Sequence, residues 1–236
     1  MMEPTEQNRR AWDEVHRRRS AAMAGQLGLP PVVRAALGEL SGRHVLHLQC
    51  ATGESTAELA ELGALVTGVD ISGEALDVAR ERWPDIAWVQ ADAQNLPSEL
   101  RRGRFDLVYT ADGVLVWLPD LKSWASGIAA ALRRGGDFLL HEEHPVAICV
   151  DESLRWREDY FDEDLHVYHG WTHFELQGPP AKEGKVERFW RLGQVVTTLA
   201  GAGLTVKQLE EYPGGGSSRR LPSKVPGIYT LLARKV

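Results

Sequence analysis

Cysteine is almost missing from this chain. Cys50 and Cys149 are its only two in 236 residues, which excludes a disulfide framework and a four-cysteine zinc site. Long apolar runs are missing too. None approaches the roughly 20 residues that cross a bilayer, so a membrane is not an expected partner. The opening stretch "MMEPTEQNRRAWDEVHRRRS" lacks the apolar segment of a signal peptide, and the expected location is cytoplasmic. An excess of positive charge is also absent: 27 Lys and Arg stand against 33 Asp and Glu, a net charge of −6. Phosphate backbones select basic surfaces, so nucleic acid is not an expected partner either. What is there is the balance of an ordinary globular protein, 43% hydrophobic and 25% charged, long enough for one large domain with a full core.

From His44 to about Leu140, short β-type runs alternate with helical patterns. Strands are expected at "HVLHLQ", "ALVTGVD", "IAWVQAD", "FDLVYTA" and "GDFLLHE", with helices over 54–62, 74–83 and 121–134. In the last of these Leu121, Trp124, Ile128 and Leu132 share one face, and Gly135-Gly136 reads as its stop. Strands separated by helices of this length imply right-handed crossovers and a parallel, doubly wound α/β sheet covered on both faces. Two helices precede this unit, over 8–24 and from the prolines of "PPVVRAALGEL". After it the helical period disappears across 145–187, an aromatic-rich insertion expected to hold short antiparallel strands. A helix over 191–202, a strand at "LTVKQLEEY", a flexible loop at "PGGGSSRR" and a closing strand at "GIYTLLARKV" follow.

Glycine is scarce where it would be diagnostic. "VLHLQCATGEST" is a strand handing the chain to a loop and a helix, the place where open α/β sheets bind ligands, yet its only glycine is Gly53. In a G-x-G-x-x-G register, Gln49 and Ala51 would stand at the first two glycines and Glu54 at the third, an acid where a pyrophosphate must approach. No Gly-Lys-Ser/Thr follows, so a phosphate-gripping loop fails as well. S-adenosylmethionine carries no phosphate, and its amino-acid end asks less of glycine. The second strand ends at Asp70, placed to accept from ribose hydroxyls, and the third at Asp92, placed to accept from an adenine amino group.

The succession "VLHLQCATG", "VTGVDIS", "VQADAQNLP", "FDLVYTADGVLVWLPD" and "GGDFLLHEEHP" resembles the motifs of the class I S-adenosylmethionine-dependent methyltransferases. The "HLQC" version of the first motif is similar to a bacterial small-molecule subgroup. The resemblance implies a mostly parallel, seven-stranded Rossmann-like sheet with an antiparallel last strand, helices on both faces, and a substrate-cap insertion after the fifth strand. It implies N-terminal helices and a cofactor lid over 1–40, a cofactor-binding core over 41–144, the cap over 145–190 and completion of the sheet over 191–236. It also implies a cofactor site at Trp12, Gln49, Cys50, Ala51, Gly53, Asp70, Ile71, Asp92, Ala93, Ala111 and Asp112. The family's first motif opens with an acid and holds three glycines; here His47, Gln49 and Ala51 replace the acid and two of them.

Methyl transfer from a sulfonium needs alignment above all, and a base only when the acceptor keeps a proton. His144, at the end of the fifth strand, is the first candidate base and Glu142 the second; a histidine merely bonded to backbone is the competing reading. A metal site at His141, Glu142, Glu143 and His144 is not expected, because strand neighbours point to opposite faces and the spacing is not H-E-x-x-H. Trp156, Tyr160, Phe161, Tyr168, Trp171 and Phe174, with His166, His169 and His173 between them, wall a pocket or pack the cap. The expected function is methyl transfer to a small-molecule acceptor at oxygen or nitrogen, with aromatic or amine-bearing acceptors favoured by the cap. A catalytically silent module binding the same cofactor and a nicotinamide oxidoreductase are the alternatives. The oligomeric state is not legible.

Overall fold

The computed structural model describes residues 2–18, 28–171, 182–214, 221–222 and 224–236. In chain order these hold α1 (Pro4–Arg18), α2 (Pro31–Leu37), β1 (His44–Leu48), α3 (Glu54–Glu61), β2 (Leu65–Asp70), α4 (Gly73–Arg82), β3 (Ala87–Gln90) and β4 (Phe105–Ala111). A 3₁₀ turn at Leu115–Trp117 leads to α5 (Leu121–Ala131), β5 (Leu132–Glu143), α6 (Pro145–Cys149), β6 (His166–His169), β7 (Gly184–Glu187), α7 (Leu192–Gly201), β8 (Leu204–Pro213) and β9 (Pro226–Lys235). Seven strands form one sheet in the order β3-β2-β1-β4-β5-β9-β8, and β9 alone runs antiparallel to its neighbours. The order reverses beside β1, so a crevice opens where the β1 and β4 ends part.

Strand alternation assigns the two faces. Leu46, Leu48, Val108, Phe138 and Leu140 meet Trp124 and Ile128 of α5 and Leu199 of α7 on one side. Val45, Leu107, Tyr109 and Leu139 meet Val33 and Leu37 of α2 and Leu59 of α3 on the other. Caps set the helix starts: the Ser72 hydroxyl accepts from Ala75 N at 3.2 Å and opens α4, and the Asp120 carboxylate accepts from Lys122 N and Ser123 N and opens α5.

α5 ends before the helix expected over 121–134 does. The helix stops at Ala131, and Leu132 already pairs with Phe105. The register then jumps to Asp137 opposite Leu107, so residues 133–136 form a bulge. Gly135 holds φ 75° there, and a Cβ on Gly136 would lie 3.0 Å from the Phe105 carbonyl. The glycine pair is thus required by strand pairing rather than by a helix stop. The insertion also contains a helix that its lack of period did not announce, the single turn α6, capped by His144. Its antiparallel pair is present as β6 and β7. The expected loop at "PGGGSSRR", the end of the first helix over 19–24, and Phe174 and His173 lie wholly or partly outside the described residues. No described helix is long and apolar enough to cross a membrane.

Gly68, in the middle of β2, pairs with Trp88 of β3, and the Trp88 ring lies over it. A Cβ at Gly68 would fall inside van der Waals contact of that ring and 3.1 Å from Cys50 Sγ. Strand propensity alone would favour Ala over Gly by roughly 0.5–1 kcal/mol, but the overlap costs about 1–3 kcal/mol. Gly68→Ala is therefore expected to lower the urea midpoint; a midpoint at or above wild type contradicts this packing.

Candidate functional site

The loop after β1 adopts a glycine-like backbone without the glycines. Gln49 has φ 55°, Ala51 φ 48° and Gly53 φ 89°. Left-handed geometry in a residue bearing a Cβ costs on the order of 1–2 kcal/mol and persists where its surroundings enforce it. Those surroundings are visible. Ala51 N donates to Asp70 Oδ2 at 2.7 Å, Cys50 N to the Val69 carbonyl at 3.0 Å, and Gly53 N to the Cys50 carbonyl at 3.0 Å. The Gln49 amide spans to the neighbouring strand end, donating to the Val114 carbonyl at 3.1 Å and accepting from the Thr110 hydroxyl at 3.3 Å. The side chain is thus tied to the β4 side.

Asp70 lies at the end of β2 and accepts from Ala51 N with one oxygen and from Ser72 N, at 2.9 Å, with the other. Burial pushes its pKa up from 3.8 to about 6, against the lowering by those amides. Asp92 lies just past the end of β3, and its Oδ1 accepts from Gln94 N at 2.9 Å. His47 is buried and hydrogen-bonds the Thr56 hydroxyl through Nδ1 at 2.8 Å, and burial lowers its pKa to about 4. It is uncharged at neutral pH.

A single cleft gathers most of the expected cofactor residues: Trp12, Gln49, Cys50, Ala51, Asp70, Ile71, Asp92, Ala93, Ala111 and Asp112 all line it. Gly53 is the exception. It starts α3 behind the cleft, where a Cβ would lie 2.5 Å from Cη2 of Trp88. Trp12 reaches the cleft from α1, stacked on His16 at 5.6 Å and packed edge-on against Trp117 at 5.1 Å. Asn8 locks α1 to β7 by a reciprocal pair with Val186, donating to its carbonyl at 2.8 Å and accepting from its N–H at 2.7 Å. Asp13 accepts from the Ser72 hydroxyl at 2.7 Å. The lining residues Asn8, Gln94, Trp117 and Leu118 were missed in the sequence. Trp117 stands in the quoted "VLVWLPD", but nothing in its spacing separates a cleft wall from core.

The two expected bases stand outside the lining of this cleft. Glu142 is buried with its carboxylate accepting from Val114 N, Leu115 N and Glu143 N at 2.9, 3.0 and 2.7 Å. It staples the turn that forms one wall. His144 accepts from Val146 N through Nδ1 at 3.2 Å, and its Nε2 lies 2.9 Å from Glu211 Oε1. Among the described residues no cluster of three His, Cys, Asp or Glu side chains is arranged to hold a metal.

Residues 45–136 match the family described as "Methyltransferase domain". An uncharacterized methyltransferase of Synechocystis is 39% identical over 104 residues, 44% of this chain and 48% of the relative. An O-methyltransferase of Penicillium expansum is 31% identical over 153 residues, 61% of this chain and 53% of the relative. The chain thus spans about half the length of these relatives. Among solved structures, an S-adenosylmethionine-dependent methyltransferase from Mesorhizobium loti superposes with a TM-score of 0.66 at 26% identity, covering 87% of this chain and 96% of that one.

Burial raises the Glu142 carboxyl from 4.5 to about 8, outweighing the amides that lower it. The folded protein then keeps a proton that the unfolded chain releases above pH 4.5. This group's contribution to stability is therefore complete below that pH and is lost as the pH rises toward 8. Glu142→Gln cannot titrate. Between those pH values wild type is expected to lose stability relative to the variant by on the order of a few kcal/mol, read from paired urea unfolding curves. A constant difference between the two proteins across the window refutes the assignment.

Proposed function

We propose that this chain, whose residues 45–136 match a methyltransferase domain and whose fold is that of an S-adenosylmethionine-dependent methyltransferase, transfers the methyl group of S-adenosylmethionine to an oxygen or nitrogen of a small-molecule acceptor. The observation that carries this reading is the Asp70–Ala51 bond beside the left-handed loop. It sets a buried carboxylate at the β2 end beside the loop backbone at the β1 end, and among the described residues no Lys or Arg lines the cleft.

The donor set fits the cofactor. Asp70 accepts from the ribose hydroxyls, Asp92 accepts from the adenine amino group, and Ile71 and Ala93 form apolar walls of the adenine slot. The backbone of Gln49, Cys50 and Ala51, with Ala111 and Asp112 opposite, meets the amino-acid end, and Trp12 covers it as part of a lid. Bound there, S-adenosylmethionine supplies a methyl group already activated on a sulfonium. What remains for the protein is to hold the acceptor in line and keep water out, which is worth effective molarities of about 10⁵–10⁸ M. Trp12, His16 and Trp117 supply a flat, largely apolar wall suited to a small acceptor. The acidic charge of −6 favours neutral or cationic acceptors over nucleic acid. Glu142 and His144 act by holding the turn after β4 and the start of α6, not by touching the acceptor.

Calorimetric titration with S-adenosylhomocysteine is expected to show saturable one-site binding, and its absence would sink the reading. The Asp70 carboxyl, raised to about 6, must be ionised to accept both hydroxyls. Affinity is therefore expected to rise with pH through that value and level off above it, changing by up to about tenfold per unit on the acid side. Asp70→Asn should bind more weakly and without this pH dependence; a variant that follows the wild-type profile contradicts the role.

A further inference from the structure

The chain carries a net charge of −6, yet a groove apart from the cleft is lined by three cations. It lies between the starts of α5 and α7 and holds about 830 Å³. Lys122, Arg188 and Arg191 line it, with Tyr160, Trp190 and Thr198. We propose that this groove is a second binding site, for a small organic oxyanion: a carboxylate or phosphate carried on a flat apolar body.

Arg188 is the group that sets this groove apart. The other half-buried arginines of the described residues, Arg9, Arg18, Arg43 and Arg191, lie 2.6–3.7 Å from a carboxylate oxygen. Arg188 is half-buried too, and among the described residues it pairs with no carboxylate. Its Nη1 donates to the Pro119 carbonyl at 3.2 Å, and its guanidinium lies 4.3 Å from the centre of the Trp190 ring. Its Nε is buried and has no hydrogen-bond partner among the described residues. A guanidinium carries five N–H groups, so one carbonyl leaves most of the fork unused. A half-buried charge without a counter-ion is costly, and the planar fork matches a carboxylate or phosphate.

The neighbours leave that charge in place. Arg191 is held by Glu163 at 2.6 Å. Asp120, the one carboxylate in the lining, accepts from two backbone amides and the Ser123 hydroxyl at the start of α5. Lys122 is exposed in the first turn of α5, where a cation opposes the helix dipole. Tyr160 and Trp190 add ring surface for a flat body. The groove is separate from the cofactor cleft, and no described residue lines both. The turn between them is pinned from the groove side: Arg188 N donates to the Val116 carbonyl at 2.8 Å and Trp190 Nε1 to the Leu118 carbonyl at 2.9 Å. The same turn lends Trp117 and Leu118 to the cleft wall.

Phenyl phosphate and benzoate are the probes, titrated calorimetrically with and without excess S-adenosylhomocysteine. At least one is expected to saturate a single site in both conditions, and the tighter of the two tells phosphate from carboxylate. Arg188→Gln should weaken that probe about tenfold or more, the loss of a charge-assisted bond. Lys122→Ala, an exposed change that leaves the fold alone, should weaken it about twofold to fivefold. Saturation by neither probe overturns the proposal. So does binding that excess S-adenosylhomocysteine abolishes, which places the probe in the cleft, and so does affinity unchanged in both variants. A wild-type protein that binds a probe here but not S-adenosylhomocysteine supports the groove and overturns only the cofactor reading.

Discussion

The carboxylate of Asp70 ties three parts of the molecule together. One oxygen holds Ala51 N and so fixes the left-handed loop after β1; the other holds Ser72 N and so fixes the entry to α4. Ser72 in turn gives its hydroxyl hydrogen to Asp13, which belongs to α1. Through two residues the loop after β1, the crossover helix and the N-terminal helix share one hydrogen-bond chain. Buried carboxylates are costly unless such donors are present, and the raised Asp70 pKa shows that burial still outweighs them.

A second constraint is the seat of Trp88. Its ring covers Gly53 and Gly68 at once. Gly53, the one glycine in the loop, is required by steric need and by its φ of 89°. Gln49 and Ala51 show the converse. Their positions tolerate a Cβ because the strain is met by specific bonds, from Gln49 to Thr110 and Val114 and from Ala51 to Asp70.

The wall opposite the loop depends on Glu142. Its carboxylate gathers three backbone amides and thereby sets the turn that carries Val114, Leu115 and Trp117. This expected base lies outside the cleft lining, with its carboxylate engaged by backbone. His144 has a similar fate as the cap of α6. In the sequence both looked like bases because a strand-end acid and histidine lie where substrates sit. Which side of a strand end faces the cleft is set by pairing with β9, which no local pattern records.

Most of the sheet was legible. The strands at 44–48, 65–70 and 105–111 and the acids at Asp70 and Asp92 follow from period, composition and the topology of open α/β sheets. The bulge at 133–136 and the single turn of α6 were not, because glycine pairs and short polar stretches carry the same signal in helix stops, bulges and caps. By itself the sequence determined the strand-helix alternation, the parallel sheet and the residues at the strand ends, since these depend on local periodicity and chain connectivity. Only the tertiary structure decided that Gln49 turns toward β4, that Asp112 lines the cleft beside His141 and that Glu142 accepts from three backbone amides. Each of those outcomes is set by contacts across neighbouring strands, between residues far apart in the chain.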